Sequence, residues 1–310
     1  MKKVIICILL SGVSGVSGIL FAQDNATQDT TYWTHSLKGI LGINQSSFTN
    51  WQAGGENTIA WNTLLELNGN YNRDRTSWEN RLKVGYGSIN QKSTGFRKTD
   101  DVLSFRSKIG YRFVKDKPAW LTTASVSFLT QFADGFNYPN DSIKISAFLA
   151  PGYALIDLGI EFKKGGGDKF SALFSPLAMK LTIVNDDLLS AAGAFGVSPG
   201  ENIRYELGTS FRLDYKDEII KNVNYSGSLL LFTDYVENFG NVDVYFTNLF
   251  VFKINDVFAA TLSFDFIYDD DVTIQEFDDS GNLTGEGPRL QYKQVLSLGL
   301  TLVLPREKDG

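Results

Sequence analysis

The sequence predicts an all-β protein, a transmembrane antiparallel up-and-down β-barrel of about 12 strands. First, apolar and polar residues alternate over segments of more than about ten residues, the length that a tilted strand needs to cross a bilayer. Second, no apolar run long enough for a membrane-spanning helix follows residue 22. Third, the chain holds 29 Gly, 23 Phe, 13 Tyr and 5 Trp, a composition typical of barrels in which only alternate residues meet lipid.

The alternation is clearest in residues 203–215. One face carries Ile203, Tyr205, Leu207, Thr209, Phe211, Leu213 and Tyr215, and the other carries Arg204, Glu206, Gly208, Ser210, Arg212 and Asp214. Successive side chains of a strand point to opposite faces, so these sets separate. Strands of soluble β-sandwiches average only about five or six residues. The predicted strands are 34–49, 59–72, 76–89, 102–114, 119–132, 143–162, 170–185, 201–215, 222–235, 243–253, 258–268 and 289–304.

The connections between these segments alternate between short turns and longer loops. Barrels of the outer membrane have short periplasmic turns and longer external loops. The first connection, 50–58, belongs to the long set, so both termini are expected in the periplasm. Aromatic residues also cluster near strand ends, as expected for interfacial girdles. They are Tyr71, Trp78, Tyr111, Phe113, Trp120 and Tyr215 on the turn side, and Trp51, Trp61, Phe132, Tyr235 and Tyr268 on the loop side.

Residues 1–22 read as a secretory signal peptide. Lys2 and Lys3 precede an apolar stretch that ends in Ala22, a suitable cleavage site. The alternative is an uncleaved anchor. Residues 23–33 would then form a periplasmic tail, and Cys7, the sole cysteine, would be removed. Without residues 1–22 the formal net charge falls from −6 to −8, which argues against a nucleic-acid partner.

The C-terminal segment resembles the signal that the outer-membrane barrel-assembly machinery recognises. Gly299, Leu302 and Leu304 are the residues that carry it, although aromatic residues are commoner at the two leucine positions. Pro305 has no N–H to donate to a ladder, so the barrel is predicted to occupy 34–304. Residues 305–310 would form a periplasmic tail.

The sequence offers no candidate for catalysis, for a cofactor or for a histidine- or cysteine-based metal site, so no enzyme is predicted. A hydrolase barrel would pair its nucleophile or acid with histidine, and the only histidine is His35, at the turn side of the first strand. Residues 269–287 hold seven acids and no Lys or Arg. Two interpretations stay open: a divalent-cation site or cation-bridged contact with lipopolysaccharide, and a solvated hairpin loop.

Charged residues on the predicted lumen face are the candidate selectivity residues. Arg81, Lys83, Arg106, Lys108 and Arg112 would form a basic stripe on adjacent strands. The other members are Arg204 and Arg212, with the acids Glu79, Glu206 and Asp265; Glu66 and Asp214 also face this way. Charges inside a barrel either line water or pair across a filled lumen. Twelve strands lie between the filled eight-stranded and the open sixteen-stranded barrels, so both states remain possible.

Three patches resemble an uncharacterised family of Bacteroidota outer-membrane β-barrels, a domain of unknown function that occupies nearly the whole mature chain. They are Asn44-Gln45 through Phe48 and Asn50-Trp51 to Gly54-Gly55-Glu56-Asn57; Phe174-Ser175-Pro176-Leu177 with Lys180; and Ala192 to Val197. The resemblance implies a Gram-negative outer-membrane location and a barrel fold, and no activity. Pro176 cannot join a ladder, which predicts a bulge. The apolar 193–200 loop is expected to fold inward.

The function expected from these features is a small passive channel for hydrophilic solutes in the outer membrane. The alternative is a non-conducting structural or accessory subunit of a larger outer-membrane complex, for example one associated with barrel assembly. The expected partners are the lipid bilayer, lipopolysaccharide, the assembly machinery and a further outer-membrane protein. A filled lumen would favour the alternative.

Overall fold

The computed structural model describes residues 32–49, 52, 56–113, 119–138, 141–164, 169–237, 239–277 and 283–304. Twelve antiparallel strands form a closed barrel: β1 (Trp33–Ser46), β2 (Thr58–Arg73), β3 (Thr76–Gln91), β4 (Gly95–Tyr111), β5 (Trp120–Thr130), β8 (Gly152–Lys164), β9 (Phe170–Ile183), β10 (Ile203–Ile220), β11 (Val223–Asp234), β12 (Asp243–Lys253), β13 (Phe258–Tyr268) and β16 (Gln291–Leu304). Their order around the barrel is β1-β16-β13-β12-β11-β10-β9-β8-β5-β4-β3-β2. The predicted fold class and strand number are confirmed.

The remaining elements all lie in the longer connections. They are β6 (Gly135–Phe136) with β7 (Lys144–Ser146), helix α1 (Asp187–Ala191) with the 3₁₀ turn Ala194–Gly196, and β14 (Ile274–Phe277) with β15 (Leu283–Gly287). Within the described part of the chain, no helix is long and apolar enough to cross a membrane. The signal peptide 1–22, most of the N-terminal tail, the C-terminal tail 305–310, Trp51 and the turn around Gly166 lie outside the described residues.

Three predicted boundaries are corrected. β4 begins at Gly95, so 90–101 is a tight hairpin and not a long loop: Gln91 pairs with Gly95, whose positive φ of 70° permits the turn. β10 continues to Ile220, because Glu218 and Ile220 pair with β11. The predicted strand 143–162 is divided into β7 and β8.

The barrel has two distinct ends. At the turn end, β2–β3, β4–β5, β8–β9, β10–β11 and β12–β13 are joined; at the loop end lie the other connections, including 47–57, 131–151, 184–202 and 269–290. β1 pairs with β16, and Leu37 lies opposite Leu304. The first strand of the barrel therefore starts at the turn end, and the last strand ends there. Gly299 pairs with Gly42, and a Cβ on Gly299 would lie 2.0 Å from the carbonyl oxygen of Leu41. Closure of the barrel therefore requires glycine at 299.

The outer surface of the barrel is apolar. Leucine, isoleucine, valine and phenylalanine side chains that a soluble protein would bury are exposed there, among them Leu67, Phe105, Ile109, Val126, Ile156, Leu158, Ile160, Phe174, Leu207, Leu298 and Leu300. Aromatic rings pack together at both ends of the barrel. The ring centres of Trp33 and Trp78 lie 5.5 Å apart at the turn end, and those of Trp61 and Tyr86 lie 5.6 Å apart at the loop end. A contiguous apolar belt with aromatic edges is the outer surface expected of a membrane barrel.

The predicted bulge at Pro176 is present in β9. Ala178 pairs with Gly208 and Ser175 with Ser210, so two residues of β9 stand opposite one of β10. On the other side of β9, the register shifts between Leu158 and Ile160 of β8. A bulge accommodates proline because the extra residue does not join the ladder.

The 184–202 connection packs against the β5–β8 connection, and Val197 of the apolar 193–200 loop is buried there, in keeping with the predicted inward fold of that loop. Leu189 and Val197 are buried against Ala147 and Ala150 from the β5–β8 connection. Asp186 accepts hydrogen bonds from the backbone N–H groups of Leu188 and Leu189 and pairs with Lys144 at 2.8 Å. The hydrogen bond from Lys144 holds the pKa of Asp186 below its ordinary value. The 184–202 connection and the β5–β8 connection thus pack against each other at the loop end.

Candidate functional site: the charged lumen

The lumen is crossed by ion pairs at three levels. At the turn end, Lys163 of β8 pairs with Glu79 of β3, although β4 and β5 separate these strands in the barrel. Lys108 of β4 pairs with Glu161 of β8 and, at 3.2 Å, with Glu79. Thr123 donates a hydrogen bond to Glu161 at 3.0 Å. These contacts form a network in which each lysine has two carboxylates.

The middle level joins opposite parts of the barrel. Arg106 of β4 pairs with Asp214 of β10 at 3.0 Å, across three intervening strands. Ser228 donates to the other oxygen of Asp214 at 2.6 Å. Beside this pair, Asp157 of β8 accepts hydrogen bonds from Ser125 and Ser210. An ion pair of this kind restricts the width of any path through the lumen.

The loop-end level is centred on Lys180 of β9. Its ammonium lies 2.5 Å from Asp243, 3.2 Å from Glu206 and 3.3 Å from Asp269. Arg204 pairs with Asp271 at 2.7 Å. Below this group, Phe232 packs with Leu155 and Ala178 in an apolar cluster, and the Lys180 ammonium lies 5.2 Å from the centre of the Phe232 ring.

Two walls of the lumen differ in exposure. We define the sealed wall as the inward faces of β5, β8 and β9, where Asp157, Glu161, Lys163 and Lys180 are all buried. We define the accessible wall as the inward faces of β16, β1, β2 and β3. There the side chains of Lys293 and Arg81 are 43% and 38% exposed, although both point into the barrel.

The accessible wall is mainly basic near Arg81. Lys38 faces Lys83 across Glu66, since Glu66 is the register partner of both lysines. Glu66 lies 3.8 Å from Arg81. The carboxylate of Glu66 thus lies beside three cations, those of Lys38, Lys83 and Arg81. Positive charges therefore outnumber negative charges on this part of the wall.

The predicted selectivity residues are placed by the structure as follows. Arg81, Lys83, Arg106 and Lys108 lie on the adjacent strands β3 and β4, with Arg81 opposite Arg106. Arg112 lies beyond the end of β4, at the turn end, and donates to the carbonyl oxygen of Asp74 at 3.0 Å. Arg212 is 3.3 Å from Ser127, and Asp265 pairs with Lys293 at 2.9 Å. Three residues of the basic stripe, Arg81, Arg106 and Lys108, thus have carboxylate partners.

Several lumen residues were missed by the sequence reasoning. Lys163, Asp157 and Glu161 of β8 anchor the sealed wall, and Lys180 organises the loop end. Their signal is the same two-residue spacing used elsewhere: positions 157, 159, 161 and 163 share one face. His35 stacks on Trp33 with ring centres 5.9 Å apart, in keeping with an interfacial position at the turn end.

The C-terminal residues close the barrel. Leu302 pairs with Gly39 and Leu304 with Leu37, and both leucine side chains are exposed on the outer surface. The geometry gives these residues a structural role in the β1–β16 seam. That the barrel-assembly machinery recognises Gly299, Leu302 and Leu304 stays a prediction.

A family model described as "Protein of unknown function (DUF3078)" matches residues 43–136. The matched range contains the first of the three patches described above, and the patches at 174–180 and 192–197 lie outside it. The match is therefore narrower than the family resemblance implied, which extended over nearly the whole mature chain. No curated protein sequence matches the chain.

Among solved structures, the chain is similar to outer-membrane barrels. An outer membrane channel from Pseudomonas putida F1 has 12% identity and a TM-score of 0.37, covering 91% of this chain and 100% of that chain. The translocator domain of the autotransporter NalP from Neisseria meningitidis has 8% identity, 87% coverage of each chain and a TM-score of 0.31. The toluene transporter TodX from Pseudomonas putida has 7% identity and a TM-score of 0.26, and the match covers 89% of this chain and 90% of the TodX chain. At these values the likeness does not extend to function.

Proposed function

We propose that this chain is an outer-membrane β-barrel that provides a narrow passive path for small hydrophilic solutes along the accessible wall of its lumen. The observation that carries the proposal is the exposure of Arg81 and Lys293 inside the barrel, at 38% and 43% of their side chains. Charged side chains in a barrel interior remain exposed where they line water. The apolar outer belt supports placement in a bilayer.

The charges on the accessible wall give the path an expected selectivity. Lys38, Lys83 and Arg81 surround the single carboxylate of Glu66. Selectivity depends on the charges that line the narrow part of a pore and not on the net charge of the chain. The path is therefore expected to favour anions, although the formal net charge of the chain is −6.

Planar-bilayer recording of the purified protein tests this proposal. The wild type should conduct, and its reversal potential in a salt gradient should show a preference for anions. Lys83→Glu should shift that potential toward cation selectivity, while Lys221→Glu, in the β10–β11 turn outside the lumen, should leave it unchanged. A correctly folded wild type that stays silent would overturn the channel proposal.

A specific observation favours the alternative of a non-conducting accessory subunit. The Arg106–Asp214 pair spans three intervening strands and crosses the lumen at mid-height. If the wild type is silent and Arg106→Ser together with Asp214→Ser conducts, the lumen is held closed by this pair. Mass spectrometry of chains that co-purify in mild detergent would then identify the complex in which the barrel takes part.

We propose that the turn end faces the periplasm, because the long loops of such barrels are external. An epitope inserted near Gly281 should be reached by antibody on intact cells, and one inserted near Gly166 should be reached only after the outer membrane is permeabilised. Labelling of the Gly166 epitope on intact cells would reverse the orientation.

A further inference from the structure

An aromatic row crosses the outer face of the barrel at its turn end. We define it as Trp33, Tyr71 and Trp78, which pairing places side by side on β1, β2 and β3. The ring centre of Trp33 lies 5.4 Å from that of Tyr71 and 5.5 Å from that of Trp78. Tryptophan and tyrosine rings of membrane proteins gather at the height of the lipid headgroups. The aromatic row therefore marks one edge of the apolar belt.

Directly beyond the aromatic row, the same outer face becomes polar and basic. Arg73 pairs with Thr76, and Thr76 pairs with Tyr111 on the next strand. Residues two positions apart on a strand share a face, so Arg73 follows Tyr71 and Thr76 precedes Trp78 on the outside of the barrel. These polar side chains therefore lie at the membrane surface and not in the lumen.

An open pocket of about 390 Å³ lies among these side chains at the β2–β3 turn. Its lining residues are Tyr71, Arg73, Asp74, Arg75, Thr76 and Tyr111. Two guanidinium groups and three hydroxyl groups of this lining can donate hydrogen bonds. Asp74 is the single acid in the lining; its side chain is 86% exposed and lies 3.6 Å from Arg73, and an ion pair so exposed contributes little. The pocket thus offers mainly donors and positive charge.

Neighbouring groups hold the arginines at this turn. The Arg73 guanidinium stacks over the Tyr32 ring, 4.8 Å from its centre. Arg112 donates from its side chain to the carbonyl oxygen of Asp74 at 3.0 Å, and from its backbone N–H to the carbonyl oxygen of Arg75 at 2.8 Å. Three arginines and one aspartate therefore meet at the turn, which leaves a formal charge of +2.

The β10–β11 and β12–β13 turns at the same end of the barrel are different. Exposed apolar side chains lie at their tips, among them Ile220, Ile254 and Val257. Neither turn contains arginine, and Lys221 is the one cation between the paired residues Ile220 and Val223. The basic pocket is therefore a feature of the β2–β3 turn and not of the turn end in general.

We propose that the pocket at the β2–β3 turn binds the phosphate of an anionic phospholipid headgroup. Guanidinium groups match phosphate oxygens in a bidentate fork, and basic pockets at a membrane surface bind anionic headgroups. Arg73 and Arg75 hold the phosphate, the hydroxyls of Tyr71 and Tyr111 donate to its oxygens, and the acyl chains lie along the aromatic row. The leaflet concerned is the periplasmic one if the turn end has the orientation proposed above.

The experiment uses the full purified chain, folded in a neutral detergent and analysed by native mass spectrometry. Phosphatidylglycerol and phosphatidylcholine with matched acyl chains are titrated in turn. One phosphatidylglycerol should be retained per barrel, and phosphatidylcholine should bind at least about tenfold more weakly, because the pocket carries a net positive charge. Inorganic phosphate at equal concentration should not displace the lipid, since it lacks the acyl chains that contact the apolar belt.

Paired variants separate this pocket from general attraction to the protein surface. Arg73→Gln with Arg75→Gln should weaken retention of phosphatidylglycerol at least about tenfold. Lys221→Gln, which removes one positive charge at the β10–β11 turn, should leave retention unchanged. Arg73→Lys with Arg75→Lys keeps both charges and should recover only part of the affinity, because an ammonium group cannot form the bidentate fork. If the double glutamine variant does not fold, Arg75→Gln alone takes its place.

Equal retention of the two lipids by the wild type would overturn the proposal. Equal loss in Lys221→Gln, or full affinity in the double lysine variant, would also overturn it, because binding would then follow net charge and not the arginine pocket. Displacement of the lipid by inorganic phosphate would assign the pocket to a soluble anion instead. None of these results bears on conduction, so the channel proposal and the lipid site fail or stand separately.

Discussion

The sealed and accessible walls of the lumen carry the same kinds of side chain in different surroundings. At the sealed wall, Lys163 and the Lys108 side chain that reaches over from β4 both pair with the buried Glu161, and both also pair with the less buried Glu79 of β3. On the accessible wall, Arg81 and Glu66 lie 3.8 Å apart and remain partly exposed. An ion pair in water contributes little, whereas removal of one partner from a buried pair leaves an uncompensated charge. The same pairing therefore fixes structure on one wall and leaves a hydrated surface on the other.

The positions of the acids explain the asymmetry. Asp157 and Glu161 lie on β8, and they bind side chains from β4, β5 and β10. Glu79 of β3 also reaches across to Lys163 of β8. Long side chains that start on other strands thus lean toward β8 and fill that half of the lumen. On the opposite side, Arg81 and Lys293 keep 38% and 43% of their side chains exposed.

The largest expected effect comes from removing one charge of the sealed wall. Glu161→Gln leaves Lys108 and Lys163 with only Glu79 as a carboxylate partner, so it should lower the free energy of unfolding by about 3–5 kcal/mol. Glu66→Gln, the matched change on the accessible wall, should cost about 1 kcal/mol or less. Urea titration of each variant folded into lipid vesicles measures both values. Equal costs would show that the two walls do not differ in hydration.

Two substitutions to arginine on β13 test the outer and inner faces of one strand. Phe264 lies on the outer face, where its ring centre is 6.4 Å from that of Tyr292, and Ser263 faces the lumen. Phe264→Arg should cost about 2–4 kcal/mol if the residue lies near the bilayer midplane. Ser263→Arg should fold, because the charge can reach the hydrated side of the lumen. A refolding titration in vesicles compares them, and equal tolerance would mean that one face is wrongly assigned.

The strands were predictable because their signal is local. Two-residue alternation over Ile203–Tyr215 depends only on which face each side chain takes, and the structure keeps that division: Tyr205 and Leu207 are exposed outside while Glu206 and Ser210 are buried inside. The start of β4 was not predictable in this way. Residues 97–101 are all polar, and they form a strand because β3 extends beside them as a hairpin.

The charge pairs were only partly predictable, because they depend on the width of the lumen. Sequence reasoning placed Arg106 and Asp214 on inward faces, but their contact joins strands that are not neighbours. The acidic segment 269–271 was noticed as a run of charges. Its meeting with Glu206 and Asp243 requires β10, β12 and β13 to end at the same level, which only the closed barrel defines.

The smallest expected effect concerns the backbones of two strands, β8 and β1, whose inward faces belong to different walls. Gly159 of β8 lies opposite the bulge of β9, and a Cβ there would lie 2.0 Å from the carbonyl oxygen of Phe174. Gly39 of β1 has no such restriction, since its Cβ would meet only the Leu302 side chain, at 3.8 Å. Gly159→Ala must displace backbone atoms on the sealed wall, so it should lower the free energy of unfolding by about 1–3 kcal/mol. Gly39→Ala should be neutral within about 0.5 kcal/mol, because surface substitutions without a steric conflict usually are. Urea titration in vesicles distinguishes the two. If Gly159→Ala were as stable as Gly39→Ala, the bulge would not hold β8 and β9 in close contact, and the tight packing of the sealed wall would need another cause.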